Sequence, residues 1–547
     1  MNKSNLRSVV FLICALFLIS CGKKKADFLV INGSIYTVNE GFDVVEAFAV
    51  KDGKIIAVGT TDEIQSKFES EEIINAEGNP VYPGFIDGHA HFFGYGESLQ
   101  VADLFGTQSW NELIERLKDF AKTHPEGWLQ GRGWDQNLWK GKQFPTNQLL
   151  NELFPDRPVL LTRVDGHAAI ANQKALELAG ITGYKQMVGG EMITQNGKLT
   201  GVLIDNAIGL VASKIPAGDL DFTKKILMEA QANCFAVGLT TIVDCGIDHE
   251  QVELLKKLHE SNDLKMRLYA MLSDSPKNYD FLIKNGAIKT ERLNVRSFKV
   301  YADGALGSRG ACLLHPYSDS PNQSGFLLSD LKHFEEVAEL INKNNFQMNT
   351  HAIGDSANRA ILNIYNKVLN GKNDKRWRIE HAQVVNKDDF DKFGTASIIP
   401  SVQPTHATSD MYWAEERLGA ERIGGAYAYK DLLKQNGWLT LGTDFPVEQI
   451  NPMLTFYAAT IRKDAKGFPE QGFQINNALT PEEALKGMTI WAAKANFEEK
   501  EKGSLEVGKF ADFVIMDKDF MKAKANEILN VKVLKTYLNG EKVFERK

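Results

Sequence analysis

The stretch Gly84-Phe85-Ile86-Asp87-Gly88-His89-Ala90-His91-Phe92 sets two histidines one residue apart at the end of an apolar run. Successive side chains of a β-strand point to opposite faces, so His89 and His91 share a face, and Asp87 shares it with them. Two imidazoles placed that way can reach one ion. A lone His-x-His also occurs on ordinary exposed strands, so its meaning depends on the fold around it. Val81 to Ile86 is the first of eight short apolar runs, rich in β-branched residues and ending in polar ones. The others are Thr240 to Asp244, Met266 to Leu272, Val295 to Tyr301, Gln347 to Thr350, Trp377 to Glu380, Ser397 to Ser401 and Trp438 to Thr443. Helical stretches separate them. Strands alternating with helices predict a parallel sheet, and eight repeats predict an α/β fold of the (β/α)8 TIM-barrel type over residues 83–502.

The first interval breaks the rhythm. Roughly 150 residues separate the first two runs, far more than one crossover requires, which predicts an insertion over about residues 97–217. It carries strand signals of its own at Val159 to Thr162 and Thr200 to Leu203, and helices near Asn111 to Lys122 and Asn172 to Ala179. An insertion after the first strand lies at a barrel's active-site mouth, where it serves as lid and specificity element. Both chain ends are strand-rich instead. Asp52-Gly53 between two apolar runs signals a hairpin. Neither end has enough strands for a stable sheet, so residues 28–82 and 503–547 are expected to combine in one small β-sandwich.

With 547 residues, 43% hydrophobic and 24% charged, the chain can bury a large core. The formal charge of −7 and the scattered Lys and Arg leave no basic stripe, which argues against a nucleic-acid partner. At the N-terminus, Lys3 and Arg7 precede the apolar run Val9 to Ile19, the pattern of a secretory signal over residues 1–20. Leu18-Ile19-Ser20 before Cys21 looks like a bacterial lipobox, which implies cleavage there and lipid on the Cys21 thiol. The competing readings are a plain signal peptide or an uncleaved anchor, although the run is shorter than the ~20 residues of a spanning helix. The expected mature protein is exported and lipid-anchored in the bacterial envelope, facing the periplasm, with residues 21–27 as tether. Losing Lys3 and Arg7 takes 63 basic residues to 61 against 70 acidic ones, a formal −9. Cys234, Cys245 and Cys312 then remain, too widely spaced for a disulfide framework. A homo-oligomer is left open.

Catalytic groups of such barrels sit at the C-terminal ends of strands. His89 and His91 fall there, as do His351, His381 and Asp444, while Lys299 lies on the fourth strand; four of eleven histidines occupy such ends. The motifs around them are Pro83 to His91, Arg163-Val164-Asp165-Gly166-His167, Thr200-Gly201-Val202-Leu203 and Ala302-Asp303-Gly304-Ala305-Leu306-Gly307-Ser308-Arg309. Further along come His351-Ala352-Ile353-Gly354-Asp355, Arg378-Ile379-Glu380-His381-Ala382-Gln383, Ser401-Val402-Gln403-Pro404 and Gly442-Thr443-Asp444-Phe445-Pro446-Val447. In these motifs the chain resembles the amidohydrolase superfamily, and within it the YtcJ-like group that includes N-substituted formamide deformylase. The resemblance covers nearly the whole mature chain.

It implies that His89, His91, His351, His381 and Asp444 form a shell for one or two divalent ions, zinc first, with Lys299 carboxylated to bridge two. Imidazole suits zinc, and a lysine ammonium beside two dications would be repelled unless it lost its charge. The other reading pairs Lys299 with a carboxylate such as Asp303 and leaves a single-metal site. The expected chemistry is metal-assisted hydrolysis of an amide or N-substituted formamide, with Asp444 as general base and His381 as an electrophile. Trp134, Asp135, His167, Arg309 and His406 are placed at the mouth as substrate contacts. For four of them a plainer role is available: packing for Trp134, along with Trp139, a structural loop for His167, a helix-start salt bridge for Arg309 and a solvated loop for His406. Two other functions compete, a mononuclear cyclic-amidine deaminase and a small-molecule-binding lipoprotein without turnover.

Overall fold

A computed structural model of the chain describes residues 23–547, so the signal peptide and Cys21 lie outside the described residues. Eight parallel strands follow one another in space in chain order: β1 (Phe85–Ala90), β2 (Leu239–Ile247), β3 (Arg267–Ser273), β4 (Leu293–Tyr301), β5 (Gln347–Ala352), β6 (Arg378–His381), β7 (Ile399–Val402) and β8 (Thr440–Leu441). They form a nearly closed barrel. The seam between β8 and β1 is held by the Asp444 N–H donating to the His89 carbonyl at 2.8 Å and the His91 N–H to that of Phe445 at 2.9 Å. Glycine makes this approach possible: a Cβ on Gly442 would lie 2.4 Å from the His89 nitrogen, and one on Gly88 2.2 Å from Thr440 Oγ1. The seam therefore places Asp444 beside the two histidines of β1.

The chain ends build two further sheets. Strands Ser34–Tyr36 and Pro80–Pro83 from the N-terminal region join Phe513–Met516, Val533–Leu538 and Glu541–Glu545 in one, and Phe28–Ile31, Ala47–Lys51, Lys54–Gly59 and Glu72–Asn75 make the other. Phe28, Val30, Phe48 and Val50 from the second pack with Val81, Phe513, Ile515 and Tyr537 from the first. The hairpin at Asp52-Gly53 has both residues at positive φ, 51° and 71°, matching the twist of its strands. Lys24–Lys25, expected in a tether, instead pairs with Phe68–Glu69. Arg267 of β3 is bound to Asp512 at 2.8 Å, tying the barrel to the C-terminal strands. Both side chains are buried. Asp512→Ala would strand that guanidinium, and about 3–5 kcal/mol of stability should be lost in chemical denaturation.

Between helix Phe92–Ser98 and helix Leu220–Ala236 lies a six-stranded sheet containing Leu129–Trp134, Val159–Arg163, Ala168–Ala171 and Lys198–Asp205. Its core includes Leu117, Leu129, Leu161, Ile170 and Val202. Trp134 belongs to this core and not to the mouth, which corrects the expectation that it contacts substrate. The indole donates to the Leu161 carbonyl at 2.9 Å and its ring lies 5.9 Å from that of Trp139. Burying so large a ring outweighs exposing it in a polar cavity. Among the described residues no helix is long and apolar enough to cross a membrane.

Candidate metal centre

The strand ends bring the expected ligands together, and His89 and His91 already have their outer nitrogens engaged. His89 Nδ1 contacts the Glu380 carboxylate, which Arg378 clamps with Nε at 2.7 Å and Nη2 at 3.0 Å. His89 Nε2 is thereby left 3.1 Å from Lys299 Nζ and 3.6 Å from Asp444 Oδ1. His91 Nδ1 donates to the Cys245 carbonyl at 2.9 Å, leaving Nε2 3.1 Å from the same Asp444 oxygen. This carboxylate-or-carbonyl anchoring of one ring nitrogen is how proteins orient a histidine for a cation on the other. The His381 ring lies 4.7 Å from that of His89 and 4.5 Å from that of His351.

Three observations fit these residues to a cation. The ligand atoms of His89, His91 and Asp444 lie within 4.8 Å of one another. Asp444 Oδ1 and His381 Nδ1 are buried with no hydrogen-bond partner among the described residues. Burial holds His89 down at about 4, and holds His351 and His381 well below the usual imidazole range, so their ring lone pairs are free. A set of neutral imidazoles plus one carboxylate suits zinc or a similar ion. The backbone is bent to present them: His381 has φ +72°, Ala382 +42° and Asp444 +64°, positions that cost non-glycine residues about 1–3 kcal/mol each.

Lys299 is fully buried, and no described carboxylate lies within 4.0 Å of it. The pairing with Asp303 is corrected, because Asp303 accepts the N–H groups of Cys312 and Gly354 at 2.8 Å and of Ile353 at 2.9 Å. These three backbone donors fix that carboxylate more than 4.0 Å from the lysine on the strand before it. The Glu380 bridge carries a prediction of its own. Glu380→Gln should weaken metal binding about 10–100-fold, read by competition with a chelating dye.

The cavity above the ligands has a volume of about 160 Å³ and is reached by Asp135, His167 and His406. His406 Nε2 faces Asp444 Oδ2 and its Nδ1 faces Glu448, each at 3.2 Å. Burial would lower its pKa, yet these two carboxylates raise it to about 10, so the ring is an imidazolium. His167 Nδ1 is 2.6 Å from Asp205, and its ring lies 4.9 Å from that of His351. Asp135 is tied to Arg163, which also binds Asp165. Arg309 does not line the cavity. Its guanidinium is held by Asp319 at 2.7 Å, the salt-bridge alternative, which corrects its placement as a substrate clamp. The sequence reading missed Asp410 and Glu448 in the cavity wall, and Phe105, Leu138 and Trp413 on its apolar side. Nothing local marks these positions. Arg163 and Asp165 stood inside a quoted motif and could have been found.

A barrel with neutral imidazoles and an unsatisfied carboxylate converging at its C-terminal mouth defines a metal-dependent hydrolase. The sequence profile of the amidohydrolase family matches residues 72–544, and the chain belongs to that family. It is 30% identical to YtcJ of Bacillus subtilis over 94% of this chain and 98% of that protein. It is 25% identical to an N-substituted formamide deformylase of Arthrobacter pascens over 95% of this chain and 98% of the relative. A solved metal-dependent hydrolase from Pyrococcus horikoshii superposes with a TM-score of 0.74 at 29% identity, covering 91% of this chain and 99% of that one.

Proposed function

We propose that this hydrolase cleaves a non-peptide C–N bond, an N-substituted amide or formamide, releasing a small acid and an amine. The observation that carries the reading is Asp444: one oxygen is unpartnered beside His89 and His91, the other is hydrogen-bonded to His406, and the side chain reaches the cavity. His89, His91, His351, His381 and Asp444 would hold the ion. When bound, a divalent cation acidifies water to a pKa of about 7 and polarises a carbonyl. The Asp444 carboxylate would take the water's proton and return it to the departing nitrogen, because an amine cannot leave as an anion. His406 fixes the Asp444 carboxylate through its other oxygen. His381, in the cavity wall, supports the carbonyl oxygen, and Phe105, Leu138 and Trp413 offer an apolar side to the N-substituent.

The lone buried Lys299 amine beside His89 supports its carboxylation and a second ion. The chain-end sheets read as one β-sandwich, residues 97–217 as the lid, and residues 1–20 with Cys21 as a lipoprotein signal. The test is amine release from a panel of N-formyl and N-acyl amines by the metal-loaded protein, with metal counted per chain. Two ions, a modified Lys299 and turnover support the reading. One ion with an unmodified lysine would favour a cyclic-amidine deaminase, and bound metal with no turnover on any substrate would make the protein a binder.

A further inference from the structure

A second cavity, of about 430 Å³, lies against the first and shares His91, Asp165, His167, Tyr301 and Val447 with it as a common wall. Its character differs. The first is edged by Phe105, Leu138 and Trp413, whereas the second is faced by Arg132, Glu97 and Gln251. Arg132, on strand Leu129–Trp134, has no described carboxylate within 4.0 Å. Its Nη2 donates to the Val164 carbonyl at 3.3 Å, and its Nε is buried without an acceptor. The acids around it are Asp444, Asp165 and Glu97. Asp165 is taken by Arg163 and by the His167 N–H, and Asp244 at the cavity's edge caps Phe92 and Phe93. Glu97 is exposed and forms no ion pair with it. Gly166, at φ +77°, leaves the guanidinium uncovered, since a Cβ there would sit 3.6 Å from Arg132 Nη2.

We propose that this second cavity is an anion passage, in which Arg132 binds the small carboxylate released by hydrolysis and leads it away behind His91 while the amine remains in the apolar cavity. An unpaired guanidinium presents a planar fork that matches a carboxylate. The ligand class rests on the hydrolytic reading, since formate and short acids are that reaction's acid products. Substrate and product would thus use different doors of one centre.

Formate is the probe, titrated calorimetrically into the full mature, metal-loaded protein. Arg132→Gln should weaken formate at least about tenfold, the worth of one charge-assisted hydrogen bond, at unchanged metal content. Arg132→Lys should recover part of the loss. Glu97→Gln, which leaves Arg132 in place, should tighten formate several-fold by removing the nearby negative charge. Formate binding that is unchanged in both Arg132→Gln and Glu97→Gln would overturn the proposal and place the anion on the metal alone. The two readings separate cleanly. Formate binding that depends on Arg132 in a protein that releases no amine keeps the anion site but removes the amide reading and the product role with it, and amine release with formate binding indifferent to Arg132 keeps the amide reading and removes the passage.

Discussion

His89→Ala is expected to give a folded chain that has lost bound metal and turnover together. Its imidazole is the one whose outer nitrogen is locked by Glu380 and whose inner nitrogen lies between Lys299 and Asp444. No neighbour can replace it, because His91 is already oriented by the Cys245 carbonyl. The drop in metal affinity should exceed the roughly 10–100-fold that removing an outer partner such as Glu380 costs. Elemental analysis after dialysis, with circular dichroism to confirm the fold, checks this. Full metal content in an inactive variant would take His89 out of the ligand set.

Asp444→Asn should behave differently, keeping most of the metal and losing turnover by about 10²–10⁴-fold, the usual worth of positioned acid–base catalysis. The four histidines and Lys299 remain, and the amide keeps an oxygen that His406 can meet. What it loses is the carboxylate oxygen that holds a proton in transit. Single-turnover rates on the best amide of the panel, at metal occupancy matched to the parent, give the comparison. Normal rates in this variant would assign the proton to another group, and His406 would be the next to test.

The barrel was legible because its strands are buried on both faces and therefore read as unbroken apolar runs. Each of the eight runs overlaps an observed strand, from Phe85–Ala90 to Thr440–Leu441. The ligands were legible for the same reason, since a histidine just past such a run can only sit at the barrel mouth. What escaped is everything fixed by contacts between distant segments. The carboxylate that orients His89 comes from Glu380, 291 residues away. His406 gains its charge from Asp444 and Glu448, on a different loop. Asp303 was a carboxylate within reach of Lys299 in sequence, but it lies beyond the end of β4, where backbone donors from residues 312, 353 and 354 claim it. Arg309 and Trp134 were misplaced because composition says that a side chain is large or charged and not which way its strand or turn faces.

The sheet that joins both ends of the chain also sets a clock on synthesis. Tyr36 and Tyr82 both donate to Asp519, at 2.7 and 2.8 Å, across 483 and 437 residues of sequence. At about 5–20 residues per second, the strand Pro80–Pro83 emerges from the ribosome on the order of 20–90 s before its partner Phe513–Met516 exists. Until then its edge is unpaired and open to any other extended chain. Without residues 508–547 the strands Ser34–Tyr36 and Pro80–Pro83 would lack the three strands that complete their sheet, so this late segment acts as a seal on an edge made much earlier.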